Sequence, residues 1–117
     1  MSFASLPSVP AAAVPDGAPL LDVRESDEWA AGHAEGAVHV PMSQVLERFD
    51  EIAALGEAAG DGEVYVVCKV GGRSAQVAQY LLQRGVNAVN VDGGMHAWQA
   101  AGRPLTGDGD GDEPYVL

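Results

Sequence analysis

The chain has 117 residues, 47% of them hydrophobic and 20% charged, a size and composition that predict one small globular domain. Seventeen acidic residues against six basic ones give a formal net charge of −11, which argues against nucleic-acid binding, since nucleic-acid-binding proteins present a basic face. No apolar run approaches the roughly 20 residues of a membrane span, and no secretory signal is evident, so we expect no membrane contact. A single cysteine excludes an internal disulfide, and we therefore expect a cytoplasmic protein.

The first half of the chain is predicted to alternate short strands and helices after a Pro- and Ala-rich start. Ser26 is placed to cap the first helix, and an apolar stripe of helical period that includes Leu46 predicts the second. In chain order we expect an edge strand, one helical turn, a buried strand, a helix, a strand and a helix, at residues 3–6, 10–13, 20–24, 26–32, 37–40 and 43–55.

The second half contains the clearest strand, Val64–Val67, in which β-branched and aromatic residues dominate. Strands that alternate with helices predict an α/β fold whose parallel sheet is covered on both faces. Residues 106–117 are acidic and Gly-rich, so we expect a domain over residues 1–105 and a disordered tail over residues 106–117. After the clearest strand we expect a helix, a strand and a helix, at residues 74–84, 88–91 and 95–101.

Cys68 directly follows the clearest strand and precedes a predicted helix, a position at which α/β proteins bind ligands. Gly71 and Gly72 allow successive N–H groups to turn inward as a nest for an anion, and the helix N-terminus adds partial positive charge. Lys69 and Arg73 supply full positive charges nearby, and such surroundings lower the pKa of a thiol. We therefore predict a reactive thiolate, the alternative being a buried core cysteine.

Three separate blocks of this sequence, in the same order, resemble the signatures of the rhodanese-like sulfurtransferase family. They lie within residues 21–41, 68–74 and 90–98, and the resemblance covers about residues 20–104. It implies a three-layer α/β/α fold with a five-stranded parallel sheet. The central block resembles the family's Cys-x-x-Gly-x-Arg-Ser active loop and reads Cys68-Lys69-Val70-Gly71-Gly72-Arg73-Ser74.

The resemblance also implies a double-displacement reaction that needs no cofactor. The Cys68 thiolate takes sulfane sulfur from thiosulfate or a persulfide, and the resulting Cys68 persulfide gives that sulfur to cyanide, a thiol or a sulfur-acceptor protein. The side chains of Lys69 and Arg73 would bind the oxyanion of thiosulfate, and the loop amides would cradle the persulfide. The implied substrate-binding residues are Lys69, Val70, Gly71, Gly72, Arg73 and Ser74.

Two other functions stay open from the sequence. The first is a non-catalytic module that binds a sulfur-relay or regulatory partner, although such a module does not need an intact Cys68 in a complete loop. The second is a cysteine phosphatase or arsenate reductase. Phosphatase loops have five residues between the cysteine and the arginine, whereas four separate Cys68 from Arg73. The shorter ring suits a sulfur atom better than a phosphate.

Asp22 and Arg24 end the predicted strand at residues 20–24, on the active side of the sheet. One interpretation is that they orient the active loop, and the favoured one is a structural ion pair. No metal site is expected, because the three histidines lack partners at ligand spacing: His33, His39 and His96.

Overall fold

A parallel sheet of five strands runs through the part of the chain that this computed structural model describes, residues 6–59, 62–107 and 113–117. The described strands are β1 (Ser8–Pro10), β2 (Leu20–Asp22), β3 (His33–Ala34), β4 (Val38–His39), β5 (Val64–Val67), β6 (Ala88–Asp92) and β7 (Leu105–Thr106). The parallel sheet has the order β1-β6-β5-β2-β4, while β3 and β7 form a separate antiparallel pair. The predicted five-stranded parallel sheet is confirmed.

Helices cover both faces of this sheet. They are α1 (Ser26–Ala31), α2 (Phe49–Ala58), α3 (Gly72–Gln83) and α4 (Gly94–Ala100), with 3-10 turns at Ala11–Ala13 and Met42–Gln44. Because side chains alternate along a strand, Val66 packs with Leu81 of α3 on one face, and Val67 packs with Trp98 of α4 on the other. The result is the predicted three-layer α/β/α architecture.

The second predicted helix, at residues 43–55, is wrong at both ends. A 3-10 turn occupies Met42–Gln44, and α2 begins only at Phe49 and continues to Ala58. The interruption lies at Arg48, whose φ of −104° and ψ of 19° leave the helical region. Leu46 is therefore turned to solvent with 72% of its surface exposed, although the apolar stripe placed it in the core.

The two ends of the described chain depart from the sequence prediction in smaller ways. The observed edge strand is β1, and residues 3–5 of the predicted edge strand lie outside the described residues. Thr106 pairs with His33, so strand β7 crosses the expected boundary between domain and tail. At the C-terminal end, the N–H of Tyr115 donates to the carbonyl of Ala31 at 3.0 Å. Residues 108–112 of the predicted disordered tail lie outside the described part of the chain.

Candidate active site

Cys68 lies where β5 ends and the turn into α3 begins, and only 1% of its surface is exposed. The turn needs a glycine, because Gly71 at the N-cap of α3 has a φ of +115°, a conformation that side chains disfavour. The helix begins at Gly72, two residues before the predicted start at Ser74. Its N-terminus is therefore directed at the cysteine, as the sequence pattern predicts.

Two groups donate hydrogen bonds to Sγ of Cys68: the backbone N–H of Gly71 at 3.1 Å and the hydroxyl of Ser74 at 3.3 Å. Burial raises the pKa of the Cys68 thiol, but hydrogen bonds from the Ser74 hydroxyl and from the loop amides lower it by more. The net pKa of Cys68 therefore lies below its usual value. This arrangement stabilises the thiolate form of Cys68 relative to the thiol.

Asn90, a buried polar residue in the middle of β6, holds the Ser74 hydroxyl in place. Its Oδ1 lies 2.6 Å from Oγ of Ser74, so the single proton of this hydroxyl is shared between Oδ1 of Asn90 and Sγ of Cys68. The sequence analysis did not single out Asn90. The available signal was a polar residue within an otherwise apolar strand, since a buried polar group needs a partner.

Arg73, the second side chain predicted to bind the donor's oxyanion, donates to Glu28 of α1. Its two terminal nitrogens lie 2.7 Å and 2.9 Å from the two carboxylate oxygens. These hydrogen bonds, supported by the backbone N–H of Glu25, hold the pKa of Glu28 at about 2. The pKa of Arg73 is raised, first by Glu28 and further by the negative charge of Cys68. The ion pair joins α1 to α3 beside the active loop.

The N-terminus of α4 holds the main chain of the active loop. The N–H of Met95 donates to the carbonyl of Cys68 at 2.8 Å, and the N–H of His96 donates to that of Lys69 at 3.1 Å. This approach requires Gly94, since a Cβ there would overlap the carbonyl oxygen of Cys68, and its φ is +57°. The third sequence block, residues 90–98, therefore holds the main chain of the central block, residues 68–74, in place.

Comparison with known proteins agrees with this geometry. A family model described as the Rhodanese-like domain matches residues 10–101. The chain belongs to the rhodanese-like family. It is 38% identical over 85 residues to a Bacillus subtilis protein named "Putative sulfurtransferase YtwF", a match that covers 73% of this chain and 77% of that protein.

Solved structures confirm the rhodanese-like fold. A rhodanese-related protein from Thermoplasma volcanium is 31% identical with a TM-score of 0.74, and the match covers 86% of this chain and 97% of that one. A thiosulfate sulfurtransferase from Pseudomonas aeruginosa is 27% identical with a TM-score of 0.73, and the match covers 89% of this chain and 21% of that one.

In this rhodanese-like domain, Asp22 and Arg24 form a fully buried ion pair. Nη2 of Arg24 lies 2.7 Å from Oδ2 of Asp22 and donates to the carbonyl of Gly32 at 2.8 Å. The pair therefore connects β2 to the end of α1, which supports the interpretation as a structural ion pair. Nη1 of Arg24 has no hydrogen-bond partner among the described residues.

Two histidines of the rhodanese-like domain stack on Trp29 and donate to backbone carbonyls. The rings of His33 and His39 lie 3.5 Å and 4.7 Å from that of Trp29, nearly parallel to it. His33 donates to the carbonyl of Trp29 at 2.7 Å, and His39 to that of Arg24 at 2.8 Å. Within the described ranges, no three potential metal ligands cluster and no helix is long and apolar enough to cross a membrane.

The remaining predicted loop residues differ in exposure. Lys69 is half-buried and makes no ion pair within the described part of the chain. Val70 is 60% exposed, and Gly72 is an exposed first residue of α3. In this loop the sulfur of Cys68 is therefore buried, whereas the apolar side chain of Val70 next to it is exposed.

Proposed function

We propose that this rhodanese-like protein is a sulfurtransferase that moves sulfane sulfur from thiosulfate or a persulfide to cyanide or a thiol through a Cys68 persulfide. The observation that carries this proposal is the placement of a buried, low-pKa thiol at the N-terminus of α3, with its sulfur accepting from Gly71 and Ser74. Membership of the rhodanese-like family and the names of its relatives support sulfur transfer in general.

In the first half-reaction, the Cys68 thiolate attacks the outer sulfur of thiosulfate. A bond forms between Sγ and that sulfur, the bond to the central sulfur of thiosulfate breaks, and its electron pair leaves on sulfite. The negative charge of the new persulfide is stabilised by the loop amides and by the N-terminus of α3. No proton donor is needed, since sulfite leaves as an anion.

In the second half-reaction, cyanide or a thiolate attacks the outer sulfur of the persulfide. The bond to Sγ breaks and its electron pair restores the Cys68 thiolate, which the same hydrogen bonds stabilise. A thiol acceptor leaves this step as a persulfide, so a sulfur-acceptor protein is a suitable partner. We place the reaction in the cytoplasm, where reducing conditions keep a lone thiol reduced, and assign it no cofactor, nucleic acid or membrane.

Lys69 is the side chain that we propose for attracting the donor's oxyanion. Its neighbour Arg73 already donates both terminal nitrogens to Glu28, so Lys69 is the better candidate for a charge-assisted hydrogen bond to the donor. A lysine ammonium suits this role, because it binds oxyanions as a mobile point charge.

Incubation with thiosulfate is expected to add the mass of one sulfur atom to the protein, and cyanide is expected to remove it as thiocyanate. Intact-protein mass spectrometry and a thiocyanate assay measure the two steps. Cys68→Ser should abolish both signals, because the hydroxyl is not ionised near neutral pH.

Sulfur transfer that persists in Cys68→Ser would exclude this nucleophile. Absence of both signals in the unmodified protein, together with hydrolysis of an aryl phosphate, would instead favour the cysteine phosphatase reading.

A further inference from the structure

Charges beside the active loop are close to balance, although the loop itself is basic. Arg73 is ion-paired with Glu28, whose side chain is only 13% exposed. Glu25, at the start of α1, adds a second negative charge that acts on Arg73. Lys69 and Arg73 are thus opposed by two carboxylates, in a protein whose net charge is −11.

Resting on the proposed function, we infer that Glu28 is a specificity-determining residue: its carboxylate neutralises Arg73 and biases Cys68 toward sulfane-sulfur donors with one negative charge over dianionic thiosulfate. Such donors include thiosulfonates and singly charged persulfides.

The charge argument is simple. An unpaired guanidinium would attract a dianion about twice as strongly as a monoanion at the same distance, because Coulomb energy scales with the product of the charges. A guanidinium in a bidentate pair with a carboxylate presents no net charge, so this advantage of the dianion is lost. The acidic surface of the protein repels the dianion more strongly as well.

A thiosulfonate delivers its sulfur by the same bond changes as thiosulfate. The Cys68 thiolate attacks the outer sulfur, the bond between that sulfur and the sulfonyl sulfur breaks, and the electron pair leaves on a sulfinate. Both donors therefore load the same persulfide. The two leaving groups differ in intrinsic reactivity, but this difference cancels when the ratio of the two donors is compared between variants.

The test uses Glu28→Gln, which removes the charge while keeping an oxygen that can accept from Arg73. The kcat/KM values for thiosulfate and for benzenethiosulfonate are measured with one acceptor at low salt. In Glu28→Gln, the kcat/KM for thiosulfate divided by that for benzenethiosulfonate is expected to rise about three- to tenfold, which is the effect of one unit charge at a partly screened distance.

The matched control is Glu51→Gln. It removes the same charge from a comparable bidentate pair with Arg48 at the start of α2, where Phe49 packs against Tyr80 in the C-terminal half of α3. The donor ratio of this variant should stay within about twofold of that of the unmodified protein, since only a distant, screened charge has changed. An equal rise in both variants would mean that net charge alone sets the ratio and would overturn the assignment to Glu28.

The salt dependence of sulfur transfer provides a second measurement that does not depend on Glu28→Gln. The kcat/KM for thiosulfate should stay level or rise as salt is added, because screening weakens the repulsion of a dianion by an acidic protein. A steep fall with salt that persists in Lys69→Ala would mean that Arg73 attracts the donor in spite of Glu28, and would overturn the inference even if Glu28→Gln did not fold.

The inference and the proposed function fail in different ways. If neither donor adds sulfur to Cys68 in the unmodified protein, the proposed function is wrong and the inference falls with it. If both donors load Cys68 but the ratio does not respond to Glu28→Gln, the inference alone is wrong.

Discussion

At the scale of single residues, the Ser74 hydroxyl donates directly to the sulfur of Cys68, and a substitution can remove this hydrogen bond. We expect Ser74→Ala to raise the pKa of Cys68, since the thiolate loses a hydrogen bond, and hydrogen bonds to charged groups contribute about 1.5–3 kcal/mol. The thiolate absorbance in the ultraviolet, followed against pH, measures this shift. Ser43→Ala, an exposed serine outside the loop, is the matched control and should leave the titration unchanged.

A Ser74→Ala titration identical to that of the unmodified protein would show that the loop amides alone hold the thiolate. The amide of Gly71 would then be the main donor to Sγ.

The sequence was sufficient to predict the geometry of the loop around Cys68, because the cysteine, the two glycines and the helix N-terminus are contiguous. It was not sufficient for the partners of that loop. Glu28 lies 45 positions before Arg73, and Asn90 lies 16 positions after Ser74. Such pairs depend on how α1 and β6 pack against α3, which no local pattern records. The sequence therefore predicted a free positive charge on Arg73, because it could not show that the carboxylate of Glu28 pairs with it.

At the scale of secondary structure, the start of α4 acts as a support for the active loop through Gly94. We expect Gly94→Ala to destabilise the protein by several kcal/mol and to reduce sulfur transfer, since the new Cβ overlaps the Cys68 carbonyl and the left-handed conformation adds about 1–2 kcal/mol. Thermal unfolding and persulfide formation are the measurements.

Gly102 offers a matched control for this substitution. It follows α4 with a φ of +72° and has open space where a Cβ would lie. Gly102→Ala should carry only the conformational strain, about 1–2 kcal/mol, and keep sulfur transfer. Equal losses of activity in the two variants would contradict a supporting role for the α4 N-terminus.

Prediction succeeded best for the buried strands of the central sheet and failed for the second helix, for physical reasons. Buried parallel strands such as β5 are continuous apolar runs in the sequence, so the sequence pattern is enough to identify them. The helix predicted over residues 43–55 relied on apolar period alone. Nothing in that period could reveal that Arg48 leaves the helical region or that its guanidinium reaches back to Gln44 at 3.0 Å.

At the scale of the whole molecule, the ion pair between α1 and α3 links stability to pH. The pKa of Glu28 is depressed from 4.5 to about 2, so the pair stabilises the folded state above pH 4.5, and this contribution is lost as the pH falls toward 2. Allowing for solvent screening at the partly exposed guanidinium, we expect about 1–2 kcal/mol. Glu28→Gln should thus lower the free energy of unfolding near neutral pH, and the difference should shrink below pH 4.5.

Urea unfolding at a series of pH values measures this effect. Glu51→Gln, in the exposed pair on α2, should show a much smaller dependence. A difference between Glu28→Gln and the unmodified protein that stays constant from neutral pH to pH 2 would contradict the assigned pKa.

The edges of the central sheet restrict how another chain can join it. Edge strand β1 has three residues and ends in Pro10, which has no N–H to donate, and edge strand β4 has only two residues. Short edges with proline resist pairing with a strand from another chain, which protects the fold from edge-to-edge aggregation. On the proposed function, we therefore expect an acceptor protein to recognise side chains around the active loop instead of extending this sheet.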